Sequence, residues 1–138
     1  MSFHLEYGSR LTGMCVYDLI EHEDGSFRFR GLRTAAGYFS FAFDVPMEAP
    51  ELLFHVLISV EKWKEHYMTG EASGDNTFKW QIECYHDTLN IYSKGEDAYP
   101  LDFNTRMETI CRELIRIVER YGEEYVEDLD EVIELMAY

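Results

Sequence analysis

Cysteine is scarce in this sequence of 138 residues. Its three thiols, Cys15, Cys84 and Cys111, lie far apart and form no C-x-x-C pair. That excludes a zinc ribbon and a dense disulfide framework, and it points to reduced intracellular thiols. Long hydrophobic runs are missing as well. The most apolar stretch, LLFHVLISV, contains His55 and falls well short of the roughly 20 residues that span a bilayer. The opening MSFHLEYGSR lacks the charged-then-apolar layout of a signal peptide, so a cytoplasmic location without membrane attachment is expected. There is no Pro/Gly/Ser linker and no internal repeat, which favours a single domain over 1–138. Positive charge is in deficit too: 12 Lys and Arg stand against 27 Asp and Glu, a net −15. A field of that sign opposes a phosphate backbone, so direct nucleic-acid binding is not expected. No P-loop, G-x-G-x-x-G, G-x-S-x-G or D-x-D-x-D-G pattern occurs.

What is abundant is ring surface. Ten Tyr, nine Phe and two Trp exceed the needs of a small core, so part of this surface is expected at an interface. Much of it is arranged with a period of two. SFRFRG sets Phe27 and Phe29 against Arg28 and Arg30, and EDG before it signals a hairpin with the apolar run from Met14 to Ile20. YFSFAFD sets Phe39, Phe41 and Phe43 against Tyr38, Ser40, Ala42 and Asp44. FKWQIEC and TLNIYS alternate in the same way around a tight turn at His86 and Asp87.

Helical spacing appears in three places. After Pro50, suited to a first turn, come Leu52, Leu53, Val56, Leu57, Val60, Trp63 and Tyr67, with Gly70 as the stop. Thr105-x-x-Glu108 has the form of a capping box and opens a helix whose stripe is Met107, Cys111, Leu114, Val118 and Tyr121. In the final segment, Tyr125, Leu129, Val132 and Met136, widened by Val126 and Ile133, oppose Glu123, Glu127, Asp130, Glu131 and Glu134. A disordered acidic tail has no reason for that segregation, so 123–138 is expected to be an amphipathic acidic helix. Its stripe is in phase with the preceding one, as in one continuous helix. However, Arg116 and Arg120 before Gly122, and Glu123 and Glu124 after it, suit the dipoles of two separate helices. The expected fold is α+β: an antiparallel sheet of about five to six strands with helices packed on one face, in the order ββββ-α-ββ-α-α.

Few residues suggest catalysis. His55 and His66, placed on the first helix, are too far apart to share a metal, since a zinc helix sets two His four residues apart. Cys84 and His86 share strand parity, but Cys84 continues the buried row of Phe78, Trp80 and Ile82. No metal or cofactor is expected. The charge favours an acidic protein-binding module that inhibits or neutralises a basic partner protein, as immunity proteins do. Its candidate contacts are Glu123, Glu127, Asp130, Glu131 and Glu134. An alternative is a homo-oligomeric assembly subunit, a homodimer among the options, using the outer sheet face through Arg28, Arg30, Tyr38, Tyr85 and Tyr92. A further alternative is an enzyme with no motif visible in the sequence.

Overall fold

The structure is a computed structural model that describes residues 2–34, 37–68, 74 and 76–138. Four strands come first: β1 (Phe3–Ser9), β2 (Gly13–Glu21), β3 (Phe27–Arg33) and β4 (Phe39–Val45). Helix α1 (Glu51–Leu57) follows and runs into a 3₁₀ turn, Ile58–Val60. Strands β5 (His66–Met68), β6 (Lys79–His86) and β7 (Leu89–Glu96) precede α2 (Phe103–Tyr121) and α3 (Leu129–Met136). The strands form one sheet in the order β4-β3-β2-β1-β6-β7-β5. Every neighbouring pair is antiparallel except β7 and β5. The fold is α+β, with seven strands rather than five to six.

Register follows from parity. Leu5 stands opposite both Tyr17 and Ile82, and Tyr7 opposite Cys15 and Trp80. Phe29 joins Leu19 to Phe43, and Gly31 joins Tyr17 to Phe41. Because side chains alternate along a strand, one face collects Phe3, Leu5, Tyr17, Phe27, Phe29, Phe39, Phe41, Trp80 and Ile82, all buried. The helices cover this face. Met107, Ile110, Cys111, Leu114, Ile117 and Val118 of α2 are buried on it, Phe54 of α1 meets Phe27, and Phe103 meets Trp80.

Three sequence expectations need correction. The helical run from Leu52 to Tyr67 is α1 plus the 3₁₀ turn only, and His66 and Tyr67 belong to β5. Trp63 and Tyr67 keep helical spacing but reach the core differently. Each packs on Trp80 with ring centroids 5.7 Å apart, while Lys94 N–H donates to Glu65 O to dock β5 on β7. The Gly70 stop lies outside the described residues. Thr105 does not cap α2, which begins at Phe103 after Asp102. Burial of Phe103 against Trp63 and Trp80 pulls the start back, and the Asp102 carboxylate accepts from Trp63 Nε1 at 3.0 Å and Arg106 Nε at 3.1 Å. Finally, the chain does break at Gly122, but the terminal helix spans Leu129–Met136, not 123–138. Tyr125 and Val126 N–H both donate to Gly122 O, and Asp128 at φ 51° starts α3 from the left-handed region.

Candidate functional site

The acidic segment keeps its amphipathic character without being one helix. Val126, Val132 and Met136 are buried, whereas Glu123, Glu127, Asp130, Glu131 and Glu134 are all exposed. From 122 to 138 there are seven carboxylates and no Lys or Arg. The five candidate residues are not one patch. Glu127 and Glu131, with Asp128, line a groove of about 340 Å³ between this segment and the start of β4, and Tyr38 and Tyr125 line it too. Glu123, Asp130 and Glu134 lie outside it.

Local causes build this groove. Gly37 has φ 82°, and a Cβ there would stand 2.6 Å from Leu135 Cδ2. Only glycine lets the chain before Tyr38 pass that close to α3. Tyr125 stacks on Phe43 with centroids 5.8 Å apart and 11° between planes, so a core ring fixes its position. Tyr38 and Tyr125 nevertheless remain 67% and 60% exposed, leaving ring surface open beside the carboxylates. No Lys or Arg is among the described lining residues. Nearby, Arg33 Nη1 donates to Leu135 O at 3.4 Å, in the last turn of α3, and to Cys15 Sγ at 3.5 Å. Aromatic faces next to carboxylates suit a guanidinium or ammonium group.

The alternative interface set is divided. Arg28 pairs with Asp44 at 3.3 Å and Arg30 with Asp18 at 3.0 Å, both on the outer sheet face. Tyr85 on β6 and Tyr92 on β7 share that face but lie beside a depression that includes Glu61 and Glu65. Three strand spacings separate β3 from β6, about 14 Å at roughly 4.8 Å each. Tyr38 belongs to the groove instead.

One outer-face cluster is absent from the sequence-derived candidates. His4 Nδ1 lies 2.5 Å from Asp18 Oδ1, and His4 Nε2 lies 3.0 Å from Glu6 Oε1. The signal was the short loop 10–12. Ser9 opposite Gly13 places His4 opposite Asp18. Carboxylates at both ring nitrogens raise the His4 pKa from 6.5 to about 9, the Asp18 hydrogen bond being the largest cause and burial opposing it. Burial likewise works against ionisation of Asp18, but His4 and Arg30 outweigh it and hold that carboxyl below its ordinary value. With both nitrogens engaged, the ring is a structural cation rather than a free base. A raised pKa gives stability that is complete below about pH 6.5 and lost as pH rises through about 9. His4→Gln is therefore expected to lower stability by about 1–2 kcal/mol near neutral pH, after allowance for solvent screening. The gap should close near pH 10, and urea titrations showing the same gap at about pH 6 and pH 10 would contradict it.

The residues considered for catalysis have structural environments. Cys84 is fully buried, and burial pushes its thiol up to about 12. The His86 ring stacks on Phe54 with centroids 4.2 Å apart. His55 is on α1 and His66 on β5, on different elements. All three cysteines are free. No group of three metal-ligating side chains and no helix long and apolar enough to cross a membrane occurs among the described residues. Comparisons with protein-family models and with curated protein sequences find no match for this chain.

Proposed function

We propose that the protein is an acidic protein-binding module that engages a basic partner protein through the groove between β4 and the C-terminal segment. One observation carries this reading: Tyr38, from one candidate set, lies in the same groove as Glu127 and Glu131, from the other. Tyrosine here and arginine on a partner are residue types that let a few contacts dominate an interface, and carboxylates are the groups that pair with such an arginine. The surrounding charge adds long-range attraction for a basic surface, which raises the encounter rate. An inhibitor or immunity-type role is the form of this activity that the charge favours.

The experiment is affinity capture from the native cell lysate at low and high salt. The expected catch is a discrete protein of high isoelectric point that elutes as salt rises. Capture of neutral or acidic proteins that resist salt would overturn the reading.

A further inference from the structure

β4 is the last strand of the sheet, and the direction of its backbone groups follows from hydrogen bonds on the opposite side of β3. His22 N–H donates to Ser26 O, and Thr34 N–H donates to Met14 O. The even-numbered residues of β3 therefore point their backbone groups at β2. The odd-numbered ones point at β4 and engage Phe39, Phe41, Phe43 and Val45. Ser40, Ala42 and Asp44 are left with their N–H and C=O groups directed away from the sheet. Among the described residues, none of these six groups makes a backbone hydrogen bond outside the sheet.

Natural edge strands are commonly blunted by an internal proline, a bulge, a lysine or extreme shortness. β4 has seven residues in unbroken register, with Pro46 only after its end. Its exposed side chains are the small Ser40 and Ala42, plus Asp44, which is held by Arg28 and His22. The acidic groove opens at the Phe39 end of this same edge.

We infer that the free edge of β4 accepts an extended basic segment of the partner as an eighth strand. Its backbone pairs with Ser40, Ala42 and Asp44, and the side chain opposite Phe39 turns toward Tyr38, Tyr125, Glu127 and Glu131. The inference rests on the proposed function and adds the mode of binding. Charge complementarity selects the occupant. A second copy would bring another −15 to an edge flanked by carboxylates, whereas a basic strand places a cation in the groove.

The probe is a nonapeptide of alternating Arg and Thr, titrated into nitrogen-15-labelled full-length protein with amide exchange followed residue by residue. Binding is expected to slow exchange at Ser40, Ala42 and Asp44, with little change at Phe41 and Phe43, which already bond to β3. Ala42→Pro removes an outward N–H without breaking a ladder bond, so it should keep the fold and weaken the peptide at least tenfold. If that variant does not fold, the exchange pattern of the wild type decides alone. Peptide binding that leaves the three amides unchanged would overturn strand addition. If that binding is still lost in Glu131→Lys, the charged groove survives. Concentration-dependent protection of the three amides without peptide would identify a second copy as the occupant and overturn the inference. No peptide binding at low salt would overturn both the strand addition and the groove.

Discussion

Phe29→Ala is expected to cost about 3–5 kcal/mol of folding stability. The ring is fully buried at the middle of β3. It meets Phe41 and Phe43 edge-on at 5.2 and 5.6 Å between centroids. Phe41 in turn lies over Gly31, where an added Cβ would stand 2.3 Å from its Cζ, so that ring is confined from both sides. Neighbours held in this way cannot collapse into the space that Ala would leave, and a cavity term adds to the lost transfer energy. The loss translates into roughly 10–20 °C of melting temperature for a chain of this size. Phe29→Leu, which retains most of the volume, should cost about 1–1.5 kcal/mol. Urea unfolding followed by circular dichroism measures both, and a loss below about 1 kcal/mol for the Ala variant would show that the ring is not enclosed.

The contrast with Tyr125 shows how packing and function separate along the same aromatic row. Tyr125 stacks on Phe43 but is 60% exposed. Its removal therefore takes less from the core and leaves Phe43 partly open to solvent. An exposed ring fixed by a buried one is positioned in advance, so little conformational entropy is lost when a ligand covers it.

The sheet was legible because its strands are half-buried, and half-buried strands alternate. The parity of Phe27, Phe39, Phe41, Trp80 and Ile82 follows directly from their spacing, and the structure places all five on the helix side. β5 was not legible for the opposite reason. It is three residues long, and its only half-buried ring, Tyr67, stands four positions after Trp63, a spacing that a helix also produces. The start of α3 was hidden because its N-terminal boundary depends on one residue, Asp128, adopting a left-handed backbone. Aspartate tolerates that conformation but does not announce it.

The groove was only half legible. Its two halves, the acidic segment and Tyr38, were each singled out by composition. Nothing local joins them. Their meeting requires β4 to be the edge of the sheet, Gly37 to pass close to Leu135, and α3 to return over the start of β4. Those are consequences of strand order, which short-range periodicity does not encode. Strand order also separates Tyr85 and Tyr92 from the β3 arginines that parity places on the same face.

Reversal of Glu127, Glu131 and Glu134 to Lys is expected to change association far more than stability. All three are exposed, and the segment from 122 to 138 moves from −7 to −1. Surface changes of this kind usually shift stability by within about 0.5 kcal/mol, and relief of like-charge repulsion contributes only a few tenths. Electrostatic steering raises association rates by about 10- to 1,000-fold at low salt, so its loss should slow binding by about tenfold or more. The measurement that tests the charged groove most directly is stopped-flow association of the Arg/Thr nonapeptide with wild type and the triple variant, in which Glu127 and Glu131 line the groove and Glu134 lies on the same segment outside it. Salt should be varied from about 0.01 M, where the Debye length is about 30 Å, to about 0.15 M, where it is about 8 Å. The groove predicts a wild-type rate that falls steeply over this range and a variant rate, on a chain that still carries −9, that is slower and falls less steeply. Equal rates for the two proteins at every salt concentration would contradict it and leave the acidic surface with no role beyond solvation.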